Sequence, residues 1–119
     1  MEYDSDMGRS NILLAAVLSR RPDAAAVVIG SDAQPQISGI VRFYQTDAGV
    51  LVAAQIAGLP HEAGDCSDRI FGFHIHGGVA CTGDANDPFS AAGTHFNPQD
   101  CKHPHHAGDL PPLDRKSTR

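Results

Sequence analysis

Three short segments hold six of the seven histidines of this chain: Phe73-His74-Ile75-His76, Gly93-Thr94-His95-Phe96-Asn97-Pro98 and His103-Pro104-His105-His106-Ala107-Gly108-Asp109. Neutral imidazole is the commonest metal ligand in proteins. A cluster this dense, closed by an aspartate, reads as a metal centre with more than one ion.

The spacings sharpen that reading. His74 and His76 are two apart, so on a strand both rings lie on one face while Phe73 and Ile75 point to the other. Two imidazoles from one strand can then share a single metal, and the apolar pair anchors the strand and keeps the geometry rigid. His103, His106 and Asp109 step by three through a loop containing Pro and Gly. Two nitrogens and one oxygen, completed by one more imidazole, make a tetrahedral zinc site. His95 is the spare imidazole. If both its ring nitrogens were used, it would bridge that zinc to the metal held by His74 and His76. The bland rival is a His-rich polar loop with adventitious affinity for nickel or zinc. A metal hydrolase fits poorly, because no glutamate stands beside the ligands as a general base and Glu62 is distant in sequence.

Short strands must position these ligands. Ala24 to Gly30 is a short apolar run, followed by turn chemistry at Gly30-Ser31-Asp32-Ala33-Gln34-Pro35. A second strand over Ile37 to Gln45 puts Val41 and Phe43 on one face and Arg42 and Tyr44 on the other. Thr46-Asp47-Ala48-Gly49 is a hairpin turn. In the third strand, Val50 to Ala57, the residues Val50, Val52, Ala54 and Ile56 share a face. Arg69 to His76 reads as a fourth. Such strands with Gly/Pro turns suggest an all-β sandwich or barrel. From Gly77 to Leu113 no period is visible. A loop that long is usually functional or disordered, and a metal can order it. Upstream, Asn11 to Ser19 reads as a short amphipathic helix, capped by Asn11 or Ser10 and stopped near Pro22.

Bulk properties set the outer limits. A chain of 119 residues is one domain with room for one core. A formal charge of −5 argues against a nucleic-acid partner. No stretch approaches the roughly 20 apolar residues of a membrane span. Ile12 to Leu18 follows acidic residues and precedes Arg20 and Arg21, unlike a signal peptide, so the expected location is the cytoplasm. Three cysteines, Cys66, Cys81 and Cys101, allow at most one internal disulfide. Reduced thiols are the default expectation.

At this point the residues resemble the copper/zinc superoxide dismutases. Gly72-Phe73-His74-Ile75-His76, Gly93-Thr94-His95-Phe96-Asn97-Pro98 and His106-Ala107-Gly108-Asp109-Leu110 are similar to that family's copper strand, bridging-histidine segment and zinc-aspartate segment. The hairpin with Phe43-Tyr44-Gln45 and Ala57-Gly58-Leu59-Pro60 also looks like the family. The short zinc loop resembles compact bacterial members, which implies a bacterial host. The resemblance implies a Greek-key β-sandwich or barrel over residues 24–113, after an N-terminal extension of residues 1–23 with its short helix and before an unstructured tail of residues 114–119. It implies copper held by His74, His76 and His95, with zinc held by His95, His103, His106 and Asp109. His74, His76 and His95 would be the catalytic residues. His105 is not chosen as a ligand, and His61 is expected at the surface. Cys81 stands where the family has a disulfide cysteine; Cys66 and Cys101 are left with open pairing.

The resemblance also implies an activity: two superoxide radicals become dioxygen and hydrogen peroxide as copper is reduced and reoxidised. Nothing after Leu113 matches the family's fourth copper histidine, active-site arginine or partner cysteine. The expectation is therefore a domain incomplete at its C-terminus and impaired in turnover. The alternative is a non-catalytic copper/zinc-binding module derived from a dismutase. Superoxide is the implied substrate, and a homodimer is an option only where the remaining strands are supplied.

Overall fold

The computed structural model describes residues 3–60 and 70–115. It divides into two compact units, residues 1–60 and 61–119.

The first unit holds helix α1 (Tyr3–Ser19) and strands β1 (Ala24–Ile29), β2 (Ser38–Thr46) and β3 (Gly49–Ala57). The strands form one antiparallel sheet in the order β1-β2-β3. Its register pairs Val41 with Ala26 and Ala54, and Phe43 with Ala24 and Val52. One face is therefore apolar throughout its middle, as the alternation predicts. The other face carries Arg42 and Tyr44. The tightest burial falls on Val41 and Tyr44, one on each face. Thr46 closes the β2–β3 hairpin: its hydroxyl accepts from the Ala48 amide at 3.2 Å and donates to the Gly49 carbonyl at 2.8 Å. β1 is an edge strand, and its Val27 and Ile29 are largely exposed.

Helix α1 departs from the expectation in two ways. It begins at Tyr3 rather than Asn11. An apolar run marks where a packing face would lie, whereas a backbone helix propagates wherever its hydrogen bonds continue. Its apolar residues also bury little, since Ile12, Leu13, Leu14 and Leu18 are all exposed. It ends where expected, with the Ser19 hydroxyl donating to the Ala16 carbonyl at 2.8 Å and Pro22 just beyond.

The second unit is mostly loop laced by backbone hydrogen bonds. β4 (Ile70–Phe71) pairs antiparallel with β5 (Leu113–Asp114). The strand expected over Arg69 to His76 is thus much shorter; beyond Phe71 only isolated bridges remain, His74 with Asp109 and His76 with His95. The partner segments are loops that offer one pairing each, so no ladder propagates. Asp114, expected in the unstructured tail, belongs to β5. Residues 116–119, Cys66 and His61 lie outside the described residues. The antiparallel strands agree with the all-β class and with the sandwich type that the motifs imply. Among the described residues, no helix is long and apolar enough to cross a membrane.

Candidate metal centre

Residues 73–78 form the axis of the second unit. On one side, the Ile75 amide donates to Gly108 O at 2.8 Å and the Leu110 amide to Phe73 O at 3.1 Å. On the other, Phe96 donates to Ile75 O at 2.7 Å, Gly77 to Thr94 O at 2.9 Å and Gly78 to Ala92 O at 2.7 Å. Gly108 closes the triangle by donating to Phe96 O at 2.8 Å. All three histidine-bearing segments are therefore tied to one another through their main chains. Tertiary hydrogen bonding replaces the ladder that a longer strand would have supplied.

Their side chains converge on Asp109. Its carboxylate is only 6% exposed. Oδ1 lies 2.8 Å from His95 Nδ1 and 3.2 Å from His74 Nδ1. Oδ2 lies 3.2 Å from His106 Nδ1 and 3.4 Å from His103 Nδ1, and it accepts from the His106 amide at 3.1 Å. One ligand atom each from His95, His103, His106 and Asp109 fits within 4.8 Å of all the others. His103 is 60% exposed and forms the solvent side of the group.

The donor set fits a divalent cation. Asp109 Oδ1 and His74 Nδ1 are both buried without a hydrogen-bond partner, although ring nitrogens crowd the carboxylate. Buried polar atoms are rarely left that way. Lone pairs that face one another at these distances repel unless a proton or a metal ion lies between them. Three imidazoles and a carboxylate at tetrahedral reach are zinc chemistry. Burial pushes the Asp109 carboxyl up, but the His106 amide and the charges of His106, His103 and His95 outweigh it and hold the carboxyl below the usual aspartate range. The anion that a metal needs is the favoured form.

His76 is held differently. Its Nδ1 is 2.9 Å from the Gly93 carbonyl oxygen. A carbonyl only accepts, so Nδ1 carries the proton and Nε2 keeps the lone pair. His76 meets His95 edge to face at 5.2 Å between ring centroids, while His74 stacks on His95 at 4.1 Å. His95 thus sits between His76 and the His103/His106/Asp109 group, while His74 lies beside it with its own Nδ1 against Asp109. With Nδ1 turned to Asp109, its remaining ring nitrogen is Nε2.

All six expected site residues are gathered in this unit. His105 is exposed and lies outside the group of ligand atoms that converge on Asp109. Three supporting residues were not anticipated. Gly72 lies under the His74 ring, where a Cβ would stand 2.8 Å from Nε2. The Gly93 carbonyl sets the His76 tautomer. Asn97 braces the loop before His103, donating to Cys101 O at 2.9 Å and accepting from its amide at 3.0 Å. An Asn four residues before a small residue, beside a Pro, was the available signal for that brace. Cys81 and Cys101 are free thiols.

Residues 37–119 match the sequence model of the family described as copper/zinc superoxide dismutase (SODC). The chain is 38% identical over 94 residues to superoxide dismutase [Cu-Zn] A of Xenopus laevis, a match that covers 73% of the chain and 53% of that relative. It is 37% identical over 80 residues to the extracellular superoxide dismutase [Cu-Zn] of Oryctolagus cuniculus, covering 66% and 30%, and 36% identical over 79 residues to its counterpart in Mus musculus, covering 65% and 29%. The chain therefore spans about half or less of the length of these relatives. No solved structure matches it. The expected cytoplasmic location is overturned, because two of these relatives are named extracellular. That expectation rested on the lack of a leader pattern in the first residues, which does not fix a compartment. A bacterial host gains no support either, since these relatives come from rabbit, frog and mouse. Family membership implies copper and zinc as the metals, and the histidine and aspartate donors fit them. The chain belongs to the copper/zinc superoxide dismutase family.

Proposed function

We propose that this chain carries a two-metal dismutase centre within residues 24–113. His95, His103, His106 and Asp109 would hold zinc, and His74, His76 and His95 would hold copper. The observation that carries this reading is the division of ring nitrogens around His95. Four Nδ1 atoms turn to Asp109, those of His74, His95, His103 and His106, while His76 spends its Nδ1 on Gly93 and keeps Nε2 for a second ion. The substrate is superoxide and the products are dioxygen and hydrogen peroxide. Two superoxides and two protons are consumed per cycle.

Copper supplies the electron transfer when bound, and zinc a fixed positive charge. The protein's own part is to orient and to handle a proton. With Nδ1 committed toward Asp109, His95 takes up and releases a proton at Nε2. Gly93 fixes the His76 ring so that its Nε2 faces one way throughout. Gly72 leaves room for the His74 ring. Extracellular relatives support a role outside the cell.

One observation favours a second reading. His74 Nδ1 lies 3.2 Å from Asp109 Oδ1, on the zinc side of His95. A chain that keeps His74 there binds metal without turning over superoxide. The test is superoxide consumption by the chain reconstituted with copper and zinc, beside His76→Ala. Turnover lost in the variant supports the dismutase. Bound copper without turnover in the parent chain leaves the metal-binding module.

A further inference from the structure

The first unit contains a recess of about 460 Å³ that the metal chemistry does not use. It opens between the end of α1 and the Arg42 face of the sheet, lined by Leu18, Arg20, Pro22, Arg42, Tyr44 and Gln55. The sheet register explains the space. Arg42 pairs with Ala25 on one side and Ala53 on the other, neither of which extends beyond Cβ. Tyr44, among the most buried residues of the unit, forms part of the lining. Leu18 and Pro22 supply an apolar rim. A volume of this size falls within the roughly 300–1,000 Å³ of small-molecule sites.

The two arginines differ in their engagement. Arg20 is anchored: its guanidinium donates to the Gln45 carbonyl, lies 3.7 Å from Asp23 Oδ2 and stands 6.0 Å from the Tyr44 ring centroid. Asp23 is itself fixed by the Gln45 amide at 2.7 Å. Arg42 is half-buried, and among the described residues its hydrogen bond goes to a neutral acceptor, Gln55 Oε1, at 3.3 Å. Among the described residues, no carboxylate lies within ion-pair distance of Arg42. A guanidinium carries five donors and cannot shed its proton. Half-buried and with no carboxylate partner among the described residues, it favours an oxyanion that takes two donors in parallel.

We propose that this recess binds a small organic carboxylate with a flat apolar body. The carboxylate pairs with the Arg42 fork, and the ring packs on Leu18 and Pro22. Inorganic anions satisfy only the first half of that lining.

The test is a benzoate titration of the full chain without metal, followed by amide and arginine side-chain nitrogen NMR. Saturable shifts centred on Arg42, Gln55 and residues 18–22 are expected, with acetate binding more weakly. Arg42→Gln should weaken benzoate by about tenfold or more, the effect of losing a charge-assisted pair. If that variant does not fold, Leu18→Ala carries the test: benzoate weakens toward acetate. Shifts that never saturate, equal affinity for acetate and benzoate, or benzoate binding unchanged in either variant would overturn the proposal.

Discussion

Nδ1 of His95 stands 2.8 Å from Oδ1 of Asp109, and that oxygen is buried without a hydrogen-bond partner. The contact has the distance of a strong bond and not its geometry. A cation placed among His95, His103, His106 and Asp109 resolves the conflict, and Asp109 is the one donor that all three rings approach.

Asp109→Asn should therefore weaken zinc more than any single imidazole change. It removes the only formal negative charge of the group and puts an NH2 among nitrogens that need a cation. Loss of an outer partner of a metal ligand typically costs about 10–100-fold in affinity, and this direct donor should cost more. Competition with a chromogenic chelator reads the change. An affinity within twofold of the parent would mean that the ion is not centred on this carboxylate.

His105 and His106 are neighbours with opposite expected behaviour. The His106 ring is part of the cluster, 3.2 Å from Asp109 Oδ2 and from His95 Nδ1. His105 is exposed; its amide donates to Lys102 O at 2.8 Å, a bond that needs no imidazole. His105→Ala should leave zinc affinity unchanged, and His106→Ala should reduce it by on the order of tenfold or more. Calorimetric titration of both variants decides between them. Equal losses would transfer the ligand role to the loop's general histidine content.

Much of this was legible in sequence because it is local. The β2–β3 hairpin follows from period-two alternation closed by Thr46 and Gly49. The step from His106 to Asp109 is a single turn, so spacing alone brings ring and carboxylate together. What escaped depends on contacts distant in the chain. Nothing in Phe73-His74-Ile75-His76 reveals that its neighbours are loops, so the strand appeared longer than β4. The exposure of Leu13 and Ile12 on α1 could not be read from their hydropathy, because burial depends on what packs against the helix. The open guanidinium of Arg42 follows only from the register that sets it between two alanines.

Acid should act on Asp109 in a defined window. Burial raises its carboxyl, but the His106 amide and the charges of His106, His103 and His95 lower it further, so its folded value lies below its unfolded one. A depressed carboxyl stabilises the fold above the unfolded value, about 3.9, and loses that contribution as pH falls through the folded value. In the metal-free chain, the Asp109 carboxyl carbon should titrate below that of a free aspartate by NMR. His106→Ala should raise its midpoint. A midpoint at or above the free value would contradict the arrangement of charges around it.

Gly108 offers the sharpest test of the scaffold. A Cβ there would stand 2.4 Å from Ile75 O, 3.0 Å from Phe96 N and 3.1 Å from Phe96 Cβ. Backbone atoms cannot rotate away as a side chain would. The same residue accepts from Ile75 and donates to Phe96, so any displacement moves the His74/His76 segment relative to His95 and Asp109. Gly108→Ala should destabilise the chain by about 1–3 kcal/mol, the usual cost of overpacking, and weaken zinc as well. Gly77→Ala is the control, since its nearest foreign atom would be Thr94 O at 3.9 Å. That variant should stay within about 0.5 kcal/mol of the parent, although it adjoins His76. Denaturant melts of the two metal-free variants, followed by zinc titration, separate the cases. If Gly108→Ala melts with Gly77→Ala and binds zinc as the parent does, the three histidine segments are not positioned through this glycine.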